Sequence, residues 1–233
     1  MRKLVETKHG SMLINTNDIY IGHSLDLYGE WAWQEIELVM PYAHSTVIDV
    51  GANIGTHTLS FAKRAKQVIS FEPVIPIFTQ LCTNVSLNGL YNTSLFNCAL
   101  SNEIGETHVP IFDYFQKNNY GSAHIGLPSG QKAHTMTLDS FQFDDVSLIK
   151  IDVEGHELEV LEGARDTIKR CKPVLYVESD RVSKVEDLCY CLELYSYRMV
   201  EYVIPLFREN NFRERIENVF QDIYSFNILC LPR

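Results

Sequence analysis

The sequence predicts an α/β fold in which a mostly parallel sheet is covered by helices on both faces. Three observations predict it. Short apolar runs of strand length alternate with longer amphipathic runs, as parallel strands joined by crossover helices require. A glycine turn, Gly51-Ala52-Asn53-Ile54-Gly55, joins the first of those strands to a helix. Titratable residues gather at strand ends, at Glu72, at Lys150 to Glu157 and at Glu178, where open α/β sheets bind ligands.

In chain order, residues 1–45 read as an N-terminal helical segment. Trp33, Ile36, Glu37 and Met40 fall at helical spacing between Gly29 and Tyr42, and Pro41 marks the end. A strand follows at Thr46 to Val50, then the glycine turn, a helix over Thr56 to Lys66 and a strand at Gln67 to Phe71, which together form a βαβ unit. A helix over Ile75 to Asn88 and a strand at Ser94 to Cys98 continue the alternation. Residues 102–139 break it. His108 to Phe112 and Ala133 to Leu138 look like strands flanking a stretch rich in Asn, Gly and Ser, so this segment reads as an inserted hairpin and loop, with Phe112, Tyr114, Phe115 and Tyr120 as a possible acceptor lid or as the hairpin's own core. The alternation resumes with a strand at Ser147 to Asp152, a helix over Glu157 to Arg170, a strand at Val174 to Glu178 and a helix over Lys184 to Leu194. Strands at Arg198 to Val203 and Ser225 to Leu231 close the chain.

With 233 residues, 45% of them hydrophobic and 21% charged, the chain is expected to form one domain over 1–233. A net charge of -10 argues against nucleic acid or an anionic membrane as partner and favours a small molecule. The six cysteines never form a C-x-x-C pair, which favours buried reduced thiols over disulfides or zinc. The N-terminus lacks the apolar core of a signal peptide and no window reaches membrane-spanning length, so a cytoplasmic location is expected.

The chemistry starts at Asp49-Val50-Gly51-Ala52-Asn53-Ile54-Gly55, where glycines permit a sharp turn and a close approach to ligand beside a helix N-terminus. Alone, such a turn also suits a plain strand-to-helix connection. Phe71-Glu72-Pro73 ends the next strand with a carboxylate that can accept hydrogen bonds from both hydroxyls of a ribose, so the pair favours a nucleoside ligand. A dinucleotide site needs glycine where Asn53 stands, and Asp49 suits the amino group of S-adenosylmethionine better than a phosphate.

Val47 to Gly55, Phe71-Glu72-Pro73, Asn97-Cys98-Ala99-Leu100-Ser101, Thr137-Leu138-Asp139, Leu148 to Glu157 and Leu161-Glu162-Gly163-Ala164 resemble the FkbM-type methyltransferase family. The most specific string is Lys150-x-Asp152-x-Glu154-Gly155-His156-Glu157. The resemblance implies a class I methyltransferase fold, a Rossmann-like three-layer sandwich with seven strands and an antiparallel C-terminal strand. It also implies S-adenosylmethionine as donor and a hydroxyl of a sugar or other small metabolite as acceptor. Asp49, Gly51, Ala52, Asn53, Gly55, Glu72, Pro73, Asn97, Cys98, Ala99 and Asp152 are then expected at the cofactor, and Tyr28, Glu30 and Glu178 at the acceptor.

A hydroxyl acceptor needs a base, and Asp152, Glu154 and His156 are the candidates, with Lys150 beside them in the catalytic cluster. No complete set of metal ligands is visible. Two other readings stand beside the methyltransferase: an NAD-dependent oxidoreductase, and a non-catalytic module that binds a nucleoside cofactor.

Overall fold

The computed structural model describes residues 1–233 and the side chains of all but Val182 and Ser183. The chain opens with a hairpin, β1 (Arg2–Thr7) and β2 (Gly10–Asn15), followed by α1 (Ile21–Leu27) and α2 (Trp33–Val39). The helical reading of residues 1–45 is therefore corrected at its start. Val5, Met12 and Ile14 are buried against α4 (Ile75–Leu87). Asn84 and Asn88 of α4 hold β2 through its main chain, the Leu13 and Ser11 amides donating to their side chains at 2.6 and 3.0 Å. α2 stops where Pro41 enters a short 3-10 turn, Met40–Tyr42, because proline cannot continue the amide ladder.

The main sheet contains β3 (Thr46–Val50), β4 (Gln67–Phe71), β5 (Thr93–Phe96), β9 (Val146–Ile151), β10 (Val174–Glu178), β11 (Tyr197–Pro205) and β12 (Tyr224–Pro232), in the order β11-β12-β10-β9-β3-β4-β5. Only β12 runs antiparallel to its neighbours, pairing β10 on one side and β11 on the other. The period of two along β3 separates its faces. Ile48 and Val50 join Ile149, Ile151, Leu175 and Val177 in one core layer, beneath α5 (Glu157–Glu162), α6 (Arg165–Cys171) and α7 (Val182–Leu194). Val47 joins Leu148, Tyr176 and Phe61 on the other face, beneath α2 and α3 (Thr56–Ala62). This is the class I methyltransferase architecture.

The helix expected over Glu157 to Arg170 is two helices. Gly163 lies against the Ser101 main chain, where a Cβ would come within 2.0 Å of the carbonyl oxygen. The Asp139 carboxylate accepts the Asp166 and Thr167 amides at 2.9 and 2.8 Å, a cap supplied from outside the helix that starts α6 anew. Residues 102–139 carry β7 (Gly105–Val109) and β8 (Gln131–Met136), antiparallel to each other, with the two-residue β6 (Ala99–Leu100) alongside β8. All six cysteines are free thiols, Cys98 and Cys230 buried and the rest half-buried. Among the described residues no helix is long and apolar enough to cross a membrane.

Candidate functional site

The carboxyl ends of β3, β4, β9 and β10 open onto one cleft of about 290 Å³. The turn after β3 is its floor. Gly51 has φ 75, and a Cβ there would stand 1.8 Å from the Asp152 carbonyl oxygen, so β3 and the segment leaving β9 meet only across a glycine. Asn53 has φ 50, a left-handed conformation that asparagine adopts more readily than other non-glycine residues. Its Oδ1 accepts the Ile54 amide at 2.8 Å. The Asn53 amide donates to Glu72 Oε2 at 3.1 Å, the Val74 amide donates to Glu72 Oε1 at 2.8 Å, and the Gly55 amide donates to the Ala52 carbonyl. The turn's own amides at Asn53, Ile54 and Gly55 are thus all engaged within the protein.

Glu72 lines the cleft, and burial pushes its carboxyl up to about 7. Asn97 stands behind it, its Nδ2 donating to the Glu72 and Pro73 carbonyls at 2.9 and 3.1 Å. Pro73, Cys98 and Ala99 complete this end as a low-polarity wall. Asp49 and Gly55 also lie behind the surface. Asp49 is fully buried and accepts from Thr58 Oγ1 at 2.6 Å, and a Cβ on Gly55 would strike Leu81 and Leu59, so both serve the turn rather than a ligand.

At the other end the cleft is acidic. Asp152, Glu154 and Glu178 bring carboxylate oxygens within 4.8 Å of one another, a grouping that a single cation can share and that the sequence did not reveal as a set. Burial, then repulsion by Asp152, pushes Glu154 up to about 7. The same causes hold Glu178 well above the usual carboxylate range, and its buried Oε2 has no hydrogen-bond partner among the described residues. Arg181 pairs with Glu154 at 2.6 Å. Glu154 itself has φ 57, a strained left-handed residue on the cleft wall, and such strain gathers at functional sites.

Lys150 is placed differently from a base. Its Nζ lies 3.5 Å from Asp49, 3.3 Å from Asp152 and 3.1 Å from the Gly51 carbonyl oxygen it donates to. Burial works against its charge, yet the Asp152 and Asp49 carboxylates outweigh burial and hold the ammonium above its ordinary pKa. It is a permanent cation tying β3 to β9.

His156 also departs from the expected role. Its Nε2 shares a 3.0 Å hydrogen bond with Ser101 Oγ, and Nδ1 lies 3.5 Å from Glu159. Those contacts hold it at the start of α5, with Nε2 occupied by Ser101. Tyr28 and Glu30 lie outside the cleft. The Tyr28 hydroxyl donates to the Glu217 carbonyl at 2.7 Å and accepts the Val219 amide at 3.0 Å. Glu30 pairs with Arg208 at 2.8 Å and accepts the Phe212 amide at 2.8 Å. Both clamp the segment that precedes β12.

The inserted hairpin reaches the cleft through Asn119, Gly121, Ala123 and Ile125. Its aromatic residues Phe112, Tyr114 and Tyr120 pack on one another, with centroids 4.7 to 6.0 Å apart, and Phe115 is exposed. The aromatic cluster is core and the polar loop is the cover.

Among the cleft residues that sequence reasoning missed are Trp31, His57, Tyr224 and Ser225. The signal available for His57 was its position in the first turn after the glycine loop. Its buried Nε2 has no partner among the described residues, and burial, with Lys150 nearby, pushes the imidazole down to about 3.

Against known proteins, the family described as Methyltransferase FkbM domain matches residues 49–214. Methyltransferase 1 of Beauveria bassiana is 26% identical over 147 residues, covering 52% of this chain and 59% of that protein. The hexuronic acid methyltransferase AglP of Haloferax volcanii is 29% identical over 149 residues, covering 62% of this chain and 60% of that protein. The chain thus spans less than two thirds of these relatives. The crystal structure of methyltransferase FkbM from Methylobacillus flagellatus superposes with a TM-score of 0.56 at 18% identity, over 80% of this chain and 44% of that one. An O-methyltransferase from Bacillus cereus in complex with SAH superposes at 0.52 with 13% identity, over 85% and 78%. At these identities the likeness is one of fold.

Proposed function

The chain belongs to the FkbM methyltransferase family, and from that premise we propose that it methylates a hydroxyl of a sugar or other small polyhydroxylated molecule, with S-adenosylmethionine as donor. The observation that carries the reading is the polarity of the cleft. A buried acid able to accept two ribose hydroxyls, Glu72, stands at one end, and the acidic group Asp152, Glu154 and Glu178 stands at the other. A nucleoside joined to a cationic amino-acid and sulfonium end matches both, whereas a phosphate is repelled by the second.

S-adenosylmethionine supplies an electrophilic methyl group on a departing thioether. Gly51, Ala52 and Asn53 shape the floor for its amino-acid end, Glu72 orients the ribose, and Cys98 and Ala99 flank the base. The acceptor then lies between the acidic group and the wall of Trp31, Tyr224 and Ser225, where amphipathic rings offer a face to a sugar ring and polar edges to its hydroxyls. That AglP is a hexuronic acid methyltransferase supports the same acceptor class.

The test is a panel of sugars and sugar acids with isotope-labelled S-adenosylmethionine, read by mass spectrometry of the product. Label on a hydroxyl oxygen supports the reading. Failure to bind S-adenosylmethionine in calorimetry, or a preference for NAD, overturns it.

A further inference from the structure

On the far wall of the cleft two residues 190 positions apart meet, Ser225 Oγ donating to Glu35 Oε1 at 2.6 Å. Ser225, in β12, lines the cleft. Glu35, in α2, is only 8% exposed and reaches the cleft through Ser225. Asn227 Nδ2 donates to the same hydroxyl at 3.0 Å. A serine hydroxyl has one proton to donate and two lone pairs to accept with. Its proton goes to Glu35 and one lone pair takes Asn227, so the remaining lone pair can accept from a hydroxyl in the cleft.

We propose that Ser225 and Glu35 form the relay that removes the acceptor's proton during methyl transfer. This rests on the hydroxyl-methylation reading above. The acceptor oxygen bonds to the methyl carbon as the carbon–sulfur bond breaks, and sulfur keeps the electron pair. The acceptor's proton passes to Ser225 Oγ while the serine proton passes to Glu35, so the sulfonium charge is discharged as one carboxylate becomes a carboxylic acid. Ser225 touches the acceptor and Glu35 acts through it.

Two further observations support the relay. Glu35 also borders a second cavity of about 20 Å³, lined by Glu30, Trp33 and Arg208 as well, enough for about one water to take the proton onward. The groups bearing on Glu35 are Ser225 in β12, Asp152 and Lys150 at the end of β9, and Tyr176 in β10. Burial outweighs them and pushes Glu35 up to about 7, close to where a general base works best. The other buried base nearby, His57, is pushed down to about 3 and does not retain a proton near neutrality.

The test compares Glu35→Gln, Ser225→Ala and Ser225→Thr with the wild type in labelled methyl transfer, calorimetric binding of S-adenosylmethionine, and carbon-13 titration of Glu35 in the free protein. The expected results are a kcat loss of roughly 100-fold or more for the first two, donor affinity within about threefold, recovery with Ser225→Thr, and loss of the limb of the pH–kcat profile near pH 7 in Glu35→Gln. A kcat for Glu35→Gln or Ser225→Ala within about threefold of wild type, or a Glu35 that titrates in the ordinary carboxylate range, overturns the relay. A wild type that binds no S-adenosylmethionine or methylates no hydroxyl overturns instead the reading on which the relay rests.

Discussion

Replacing Lys150 with methionine isolates the electrostatics beneath the cleft. The substitution keeps most of the apolar stem and removes a buried ammonium that faces Asp49 at 3.5 Å and Asp152 at 3.3 Å. Asp152 is partly exposed and can turn to water. Asp49 has no exposure, keeps the Thr58 hydroxyl on Oδ2, and has no hydrogen-bond partner on Oδ1 among the described residues. Breaking a buried pair and leaving one charge behind costs about 3–5 kcal/mol. At roughly 2–4 °C per kcal/mol for a chain of this size, Lys150→Met is expected to melt about 6–20 °C below the wild type. The assay is thermal denaturation of the free protein near pH 8, where Asp49 is ionised in the unfolded chain. Adding Asp49→Asn removes the stranded charge, so the double variant is expected to regain about half of the lost melting temperature. A single variant within about 2 °C of wild type, or a double variant no more stable than the single, would show that Lys150 does not neutralise Asp49.

Glu72→Gln keeps the shape of the ribose acceptor and removes its charge, so S-adenosylmethionine is expected to bind about 10- to 100-fold more weakly, a loss of roughly 1–3 kcal/mol; calorimetry showing equal affinity would take Glu72 out of the site. A donor cation beside this acidic group lowers the raised pKa values of Glu154 and Glu178 and releases protons, so affinity is expected to rise from pH 6 to pH 8 and the binding heat near pH 7 to change between buffers of different ionisation enthalpy. Equal heats would sink that linkage. Without ligand, Glu35, Glu72 and Glu154 hold protons up to about 7 that the unfolded chain releases above its ordinary carboxylate pKa. Folding stability is then lost as pH rises through 7, and the melting temperature is expected to be higher at pH 6 than at pH 8; the reverse order would contradict the burial of these acids. His156→Ala is expected to raise the donor's Kd a few-fold and leave kcat nearly unchanged, and a dominant kcat effect in steady-state kinetics would restore it as the base.

The strands were legible because β3, β4, β9 and β10 are mostly apolar runs of strand length, each ending in turn or site residues. The opening hairpin was not. Its inward residues Val5, Met12 and Ile14 are too few to set a period, and the docking partners Asn84 and Asn88 lie on another helix. The break between α5 and α6 was hidden for a similar reason, since its cap comes from Asp139. At the site, Asn53, Glu72 and the Asp152–Glu154 strand end could be read because local spacing places them. Tyr28 and Glu30 were misread because polar residues near a site motif look the same whether they face a ligand or a distant loop. The pairing of Glu35 with Ser225 escaped, since nothing local links two residues joined only by the closing of the sheet.

That closing has a consequence for how the chain reaches its folded state. β12 is made after β11 yet lies inside the sheet, between β11 and β10. Until it docks, β10 presents an unpaired edge and β11, whose neighbour in the sheet is β12, has no strand to pair with, and such edges recruit strands from other molecules. A version lacking residues 224–232 is therefore expected to aggregate rather than persist as a smaller monomer.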